Sequence, residues 1–422
     1  MCHIDDVESR TRVNAALAAQ EIQSPVKMAV RILRPPWPLL LGTSSLLFVM
    51  MIASFTPTPL YPLYQEQWGL VEGQIGLAFS AYSVSVILTL LFLGGMSDRF
   101  GRRDTLIIAT LILGVALIIL SCATAFPGLL LGRFVQGIGA ALASGAGAAT
   151  LMESHPGGLA RGSLFNTFSV AVGLAIGPLL AGSLAAGTAY PLVVPYLIVG
   201  LLLPLPLFFL IRAKDAVPKR RDASLFRPIR LPRHIWAAFS VAAAALIGPN
   251  ICLAIYGSFG SNIAASVGWN TEALSGLLVS LVLLMFAAVQ PFSRNLHPKV
   301  SMFIGIGFNV AGWVIVSVAA IEDVVLLMVL GSMILGGGAG LCLMGSATLV
   351  GSVAPAGRSA EIYSVFLIVG FITLGTTALT AGSIIDLLSI NAVLGSASVS
   401  CFLLAIYVIY GSRRWLTVNR FK

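Results

Sequence analysis

Gly94-Gly95-Met96-Ser97-Asp98-Arg99-Phe100-Gly101-Arg102-Arg103-Asp104 places five charges in the seven positions from Asp98 to Asp104, between two long apolar runs. Each flanking run is about twenty residues, enough at about 1.5 Å of rise per residue to cross a hydrocarbon layer roughly 30 Å thick. Lipid-buried backbone could not hold this cluster, so the stretch reads as a tight turn joining two membrane helices on one side of a bilayer. Gly94 and Gly101 suit close approach and sharp turning. Asp98 can accept hydrogen bonds from free helix-end amides, while the three arginines stay among headgroups and water.

The whole chain supports that reading. Its 422 residues are 58% hydrophobic and 10% charged, with a mean hydropathy of +0.96; a soluble domain carries roughly 25% charge. The fold class is therefore an all-α, polytopic membrane protein. Its 43 glycines fit helices packed closely in lipid. A net charge of +9 raises the possibility of nucleic acid, but that would require a patch on a soluble face. The five cysteines Cys2, Cys122, Cys252, Cys342 and Cys401 lack paired spacing, and four lie in apolar runs, so they read as small core residues without metal or disulfide. Residues 1–37 are polar and of mixed charge, as in a tail, and do not have the pattern of a signal peptide.

Apolar runs fall near 38–56, 73–93, 105–126, 128–151, 163–186, 190–211, 235–257, 272–291, 300–320, 324–350, 361–385 and 392–410, predicting twelve helices. Twelve crossings put every Lys and Arg except Arg133 on one side, while the opposite loops carry only acids, Glu66, Glu72, Glu272, Glu322 and Asp323. By the positive-inside rule that side is the cytoplasm, so both termini are expected there, in a plasma membrane of the bacterial inner type. The organisation expected is a tail 1–37, a six-helix bundle 38–211, a basic linker 212–233, a second bundle 234–411 and a tail 412–422. Lys219-Arg220-Arg221 in the linker suits a headgroup-facing segment better than a partner-docking one.

The two bundles are similar in sequence. Leu131-Gly132-Arg133-Phe134-Val135-Gln136-Gly137-Ile138-Gly139-Ala140 aligns with Leu330-Gly331-Ser332-Met333-Ile334-Leu335-Gly336-Gly337-Gly338-Ala339. Ala149-Thr150-Leu151 is echoed by Ala347-Thr348-Leu349, and Ala181-Gly182-Ser183 by Ala381-Gly382-Ser383. The shared order and near-constant offset imply two pseudo-symmetric six-helix repeats facing each other across a cavity. Arg133 and Gln136, three apart, share a helix face, and the second half has Ser332 and Leu335 in their places. Arg133 either faces the bundle interior, as the cost of an intramembrane cation favours, or reaches outward to interfacial phosphate.

The opening loop resembles the signature between helices 2 and 3 of the major facilitator superfamily of transporters. That resemblance implies a conformational latch made by Gly94, Asp98, Arg99, Gly101, Arg102 and Arg103. Gly132, Arg133, Gln136, Gly137 and Gly139 resemble the family's helix 4 signature, implying a role in substrate or proton coupling for Arg133 and Gln136. Gly173, Gly177-Pro178 and Gly182 resemble the glycine-proline signature of the family's proton-driven exporters, with Ala181-Gly182 where that signature closes on two glycines; a generic small-residue packing stripe is the other reading. The loop after helix 8, with Ser293-Arg294 and Lys299, reads as a worn copy of the first and lacks its aspartate.

No acid falls in the middle third of any predicted helix, so a proton carrier is not evident. Glu153 is the remaining candidate, with capping and packing against Arg161 as its other role. Gly248-Pro249-Asn250 should break helix 7, and Asn250, Tyr256, Asn309 and Trp313 are expected to line a cavity. Tyr61, Tyr64 and Trp68 read as interfacial anchors. There is no nucleophile–base pair, metal-ligand spacing or phosphate loop, so neither an enzyme nor a cofactor is expected. The function expected is export of a small organic or amphipathic compound by proton antiport. Uptake or facilitated movement of a sugar or metabolite stands as the alternative, and a receptor or membrane enzyme as the reading from another class. The partners are then a small molecule, protons and lipid, with no nucleic acid, for a protein acting as a monomer.

Overall fold

The computed structural model describes residues 37–215, 231–293, 296–355 and 359–419, and within them every regular element is helical. Twelve helices are long and apolar enough to cross a membrane. They are α1 (Trp37–Phe55), α2 (Glu72–Phe92), α3 (Arg102–Ser121), α4 (Phe126–Ser154), α5 (Gly158–Ala186) and α6 (Val194–Arg212), then α7 (Trp236–Ala265), α8 (Glu272–Ala288), α9 (Pro298–Ile321), α10 (Val325–Val353), α11 (Ser359–Leu387) and α12 (Ile390–Asn419). The cluster Lys219-Arg220-Arg221, Arg294 and Arg358 lie outside the described residues.

Local chemistry sets several helix ends. Thr271 Oγ1 accepts the Leu274 N–H at the start of α8 (3.4 Å), and Gln74 Oε1 accepts the Val71 N–H before α2 (3.1 Å). Pro298 opens α9, where a missing N–H costs nothing. Gly101 has φ of +103°, a conformation that favours glycine, and turns the chain from the short helix Met96–Phe100 into α3.

Three expectations are corrected. Gly248-Pro249-Asn250 does not break α7, which runs through to Ala265 and departs from helical angles only at Phe259 (φ −125°). The Gly257 carbonyl beside that bend accepts a hydrogen bond from Thr58 Oγ1 at 2.7 Å, so the bend is supported by the first half of the chain. Tyr61 and Tyr64 are buried rather than interfacial, because the segment after α1 folds back as a short helix, Tyr61–Trp68, whose Tyr64 hydroxyl donates to that of Tyr196 on α6 (2.9 Å). Third, Glu153 pairs with Arg102, not Arg161, because the end of α4 lies beside the start of α3.

The chain's two halves, α1–α6 and α7–α12, meet at two seams, α2 on α11 and α5 on α8. We call the end that carries Arg99, Arg102, Arg103, Arg161 and Arg212 the basic end. The other, with Glu66, Glu72, Glu272, Glu322, Asp323 and Asp386, is the acidic end. A Cβ at Gly76 would overlap the Ala378 carbonyl, and one at Gly276 the Pro178 carbonyl, so backbones touch across both seams. Ser80 Oγ donates to the Gly375 carbonyl at 2.7 Å, and the Leu179 N–H donates to Ser280 Oγ at 2.9 Å. Every hydrogen bond between described residues that joins the halves lies toward the acidic end. Toward the basic end Ser144, Gly145 and Thr348 are exposed. Among the described residues, then, the halves are hydrogen-bonded together at the acidic end and not at the basic end.

Candidate functional site

Glycines bring α4 close enough to its neighbours to bury an arginine. Gly137 sits against Ser85 and the Tyr82 carbonyl of α2, Gly132 against Leu120 and Gly139 against Leu113 of α3. The face three residues apart on α4 then meets the end of α1. Arg133, 1% exposed, donates from Nη1 to the Ser54 carbonyl at 3.0 Å and to Gln136 Oε1, while Gln136 Nε2 donates to the Ala53 carbonyl at 2.7 Å.

Both carbonyls belong to the last turn of α1, at the negative end of its dipole; that of Ala53 also accepts the Thr56 N–H at 3.3 Å, while that of Ser54 depends on Arg133. The guanidinium also lies over the rings of Tyr82 (4.7 Å to the centroid) and Phe79 (5.4 Å). Its charge is thus balanced by carbonyl dipoles and ring faces. Among the described residues it has no carboxylate partner, and its Nε is buried without an acceptor. The interior reading of Arg133 holds, and the outward one does not.

At the basic end, Arg102 binds Asp98 (3.0 Å), Glu153 (3.1 Å) and Ser97 Oγ. The Arg103 backbone N–H donates to Asp215 Oδ1 at 2.8 Å, its Nε to the Leu210 carbonyl at 2.9 Å and its Nη2 to the Ile211 carbonyl at 2.9 Å. Arg99 is exposed, over the Phe100 ring. Among the described residues the partners of Arg102 and Arg103 all precede residue 216, so they stitch the short helix Met96–Phe100, α3, α4 and the end of α6 together. Glu153, at the far end of α4 from Arg133, belongs to this network.

On α5, Gly173 rests on the Phe48 carbonyl and Gly177 on the Ile52 carbonyl of α1, while Gly182 meets the Glu272 carbonyl of α8. Pro178 offers its carbonyl to Gly276 in the same seam. The stripe therefore bridges the halves.

The expected second-half lining is corrected in part. Tyr256, Asn309 and Trp313 are fully buried, the Tyr256 hydroxyl bonding Ser332 Oγ at 2.7 Å and its ring lying 6.1 Å from that of Trp313. Gly305 and Gly312 draw α9 onto α10, and this face closes inside the second half. Asn250 is half-buried, its Nδ2 donating to the Leu246 carbonyl (2.8 Å). The sequence places Glu72 in an outer loop, Asp386 at the outer end of helix 11 and Asn262 with the second-half lining, but gives no sign that they meet, as they do at the acidic end from α2, α11 and α7. Among the described residues no group of three or more His, Cys, Asp or Glu is placed to hold a metal.

Twelve membrane-length helices in two halves, joined face to face at the acidic end, are the fold of a membrane transporter. The chain belongs to the major facilitator superfamily, whose model, described as Major Facilitator Superfamily, matches residues 43–376. Among curated relatives, it is 35% identical over 102 residues to a probable sulfoacetate transporter, SauU, of Cupriavidus necator, covering 24% of each chain. It is 38% identical over 79 residues to the multidrug resistance protein MdtL of Klebsiella pneumoniae, covering 19% of this chain and 20% of that one. With the bacillibactin exporter of Bacillus subtilis it is 30% identical over 128 residues, 29% of this chain and 31% of that one. The chain thus spans under a third of the length of these relatives. Among solved structures, a D-xylose-proton symporter superposes with a TM-score of 0.71 at 14% identity, covering 88% of this chain and 96% of that one. A bacterial homolog of the human lysosomal transporter Spinster, inward-facing and occupied, superposes with 0.68 at 14% identity, covering 90% and 97%.

Proposed function

We propose that this transporter exports a small amphipathic organic compound in exchange for protons, working as a monomer in a bacterial inner membrane with both termini in the cytoplasm. The positive-inside rule supports the sidedness, since the basic end then faces the cytoplasm and the conformation described is open inward. The observation that carries export is the α5 stripe. Gly173, Gly177, Pro178 and Gly182, the exporter-like signature, form the surface on which α1 and α8 close. The relatives named as multidrug resistance and bacillibactin exporters support the same direction.

Arg133 and Gln136 are the coupling or substrate groups in this reading, reached when the acidic end opens. The loop from Gly94 to Arg103 is the latch, with Gly101 setting its turn and Asp98 holding Arg102. Asp98→Asn removes a charge-assisted pair while leaving the Glu153 contact, so turnover should fall by about threefold to tenfold at normal assembly. Initial rates at matched reconstitution check this, and an unaffected rate counts against the latch.

Facilitated uptake of a sugar or metabolite is the second reading. It is favoured by the absence of any acid in the middle of a membrane helix among the described residues. Purified protein in liposomes with an imposed pH gradient separates the two, with ethidium and radiolabelled chloramphenicol as probes. Gradient-driven accumulation of either probe supports antiport; flux indifferent to the gradient removes it and leaves facilitated movement.

A further inference from the structure

The two seams that close the acidic end are copies of one another, with Glu72 and Glu272, Gly76 and Gly276, Ser80 and Ser280, and Gly182 and Gly382 each 200 positions apart. In both, a glycine of α5 or α11 lies on the carbonyl of the paired glutamate, and a serine hydroxyl bonds the opposing backbone. One difference introduces a charge. On α11, Asp386 lays both carboxylate oxygens on the first turn of α2, Oδ1 accepting the Glu72 N–H at 2.9 Å and Oδ2 the Gly73 N–H at 2.8 Å. The position 200 residues earlier, on α5, is Ala186. The Glu72 side chain extends the knot to α7, its Oε1 accepting from Asn262 Nδ2 at 2.6 Å, while its Oε2 is buried without a partner.

We propose that Asp386 is a proton-sensitive lock on the acidic-end gate. First-turn amides have no partner within their own helix and present the positive end of its dipole, so they favour an anion. Hydrogen bonds to a charged acceptor are also about twice as strong as neutral ones. A proton on either oxygen turns an acceptor into an O–H facing an N–H, and removes the charge. Closure and protonation therefore compete, because the ionised carboxylate can accept both amides and the protonated one cannot.

The titratable group facing Asp386 from α2 is Glu72; α7 contributes the neutral Asn262, while Glu66 and Glu272 stand at the same end on the Tyr61–Trp68 helix and α8. No Lys, Arg or His lies at this end among the described residues, apart from Arg133 buried within the first half. The α2 helix end is what holds the anion. A transporter with one locked seam and one unlocked copy would open first where the carboxylate lets go, on the side that supplies the proton.

The lock goes beyond the exporter reading and does not depend on it, because it is read as a distance. The full chain, with Cys2→Ala and Cys122→Ala removing the tail cysteine and an exposed thiol, takes spin labels at Val71→Cys and Leu388→Cys, both exposed at the acidic end on opposite halves. Electron–electron resonance distances are measured from about pH 7 to about pH 3. With Asp386 present, the population open at this end should rise about tenfold on acidification. Asp386→Asn should be open to a similar degree at every pH, and Glu72→Gln should keep the response. If the Asn variant fails to fold, Asp386→Ser retains one acceptor and gives the same test. A pH response that survives loss of Asp386, or distances that ignore pH in its presence, would overturn the lock.

Discussion

Gly276→Leu should reduce transport by more than about thirtyfold while leaving a folded protein. At this position any side chain meets the Pro178 carbonyl of α5, and backbone cannot move aside as a flexible side chain could. Overpacking of a well-packed contact costs about 1–3 kcal/mol even where side chains relax, and 1.4 kcal/mol is already about tenfold in population. The overlap exists only when the acidic end is closed, so the variant should rest open at that end, cycling no further. Gly76→Leu should do the same through the Ala378 carbonyl of the other seam. Gly145→Ala is the control, since nothing lies within 4 Å of its added Cβ, and it should keep transport within about twofold. Rates in liposomes and the Val71–Leu388 label distance together check this. Normal turnover in Gly276→Leu would mean that the α5–α8 seam does not form in the working cycle.

The features legible from sequence were those in which a local pattern carries a global constraint. The charged stretch from Asp98 to Asp104 could only be a loop between membrane helices, and the one-sided Lys and Arg then counted the crossings. Arg133 and Gln136 could be paired because three residues on a helix fix a shared face. The repeat was visible from helix 4 to helix 10, yet its seams were not, because Gly76 and Gly276 look like any small residues until backbones meet across them. Asp386 and Glu72 are 314 positions apart, and a carboxylate at a helix end offers no pattern that names the amides it will cap. Pro249 misled for a related reason. A proline usually bends a helix, but in α7 the surrounding helices hold it, and the departure appears at Phe259, where Thr58 is available to take the Gly257 carbonyl. Tyr61 and Tyr64 suggested an interfacial belt because aromatic residues beside a membrane span usually form one; only the fold-back onto α6 buries them.

Arg133→Ala should cost both stability and function, and the two losses can be separated. Truncation leaves the Ser54 carbonyl and Gln136 Oε1 without their donor in a dry interior, and opens a void between the Phe79 and Tyr82 rings. An unsatisfied buried acceptor costs about 1–3 kcal/mol and the lost cation–ring contact about 2 more when desolvated, so the thermal midpoint in detergent should fall by several degrees. Arg133→Lys keeps a cation near the end of α1 and over the rings, so it should recover most of that stability. It cannot hold Ser54 and Gln136 together in one plane, nor present a buried Nε to an acceptor when the acidic end opens. Transport by the lysine variant should therefore remain at least about tenfold below the unsubstituted protein. Full transport with lysine would reduce Arg133 to a pin for the last turn of α1, and unchanged flux in Arg133→Ala would remove it from coupling altogether.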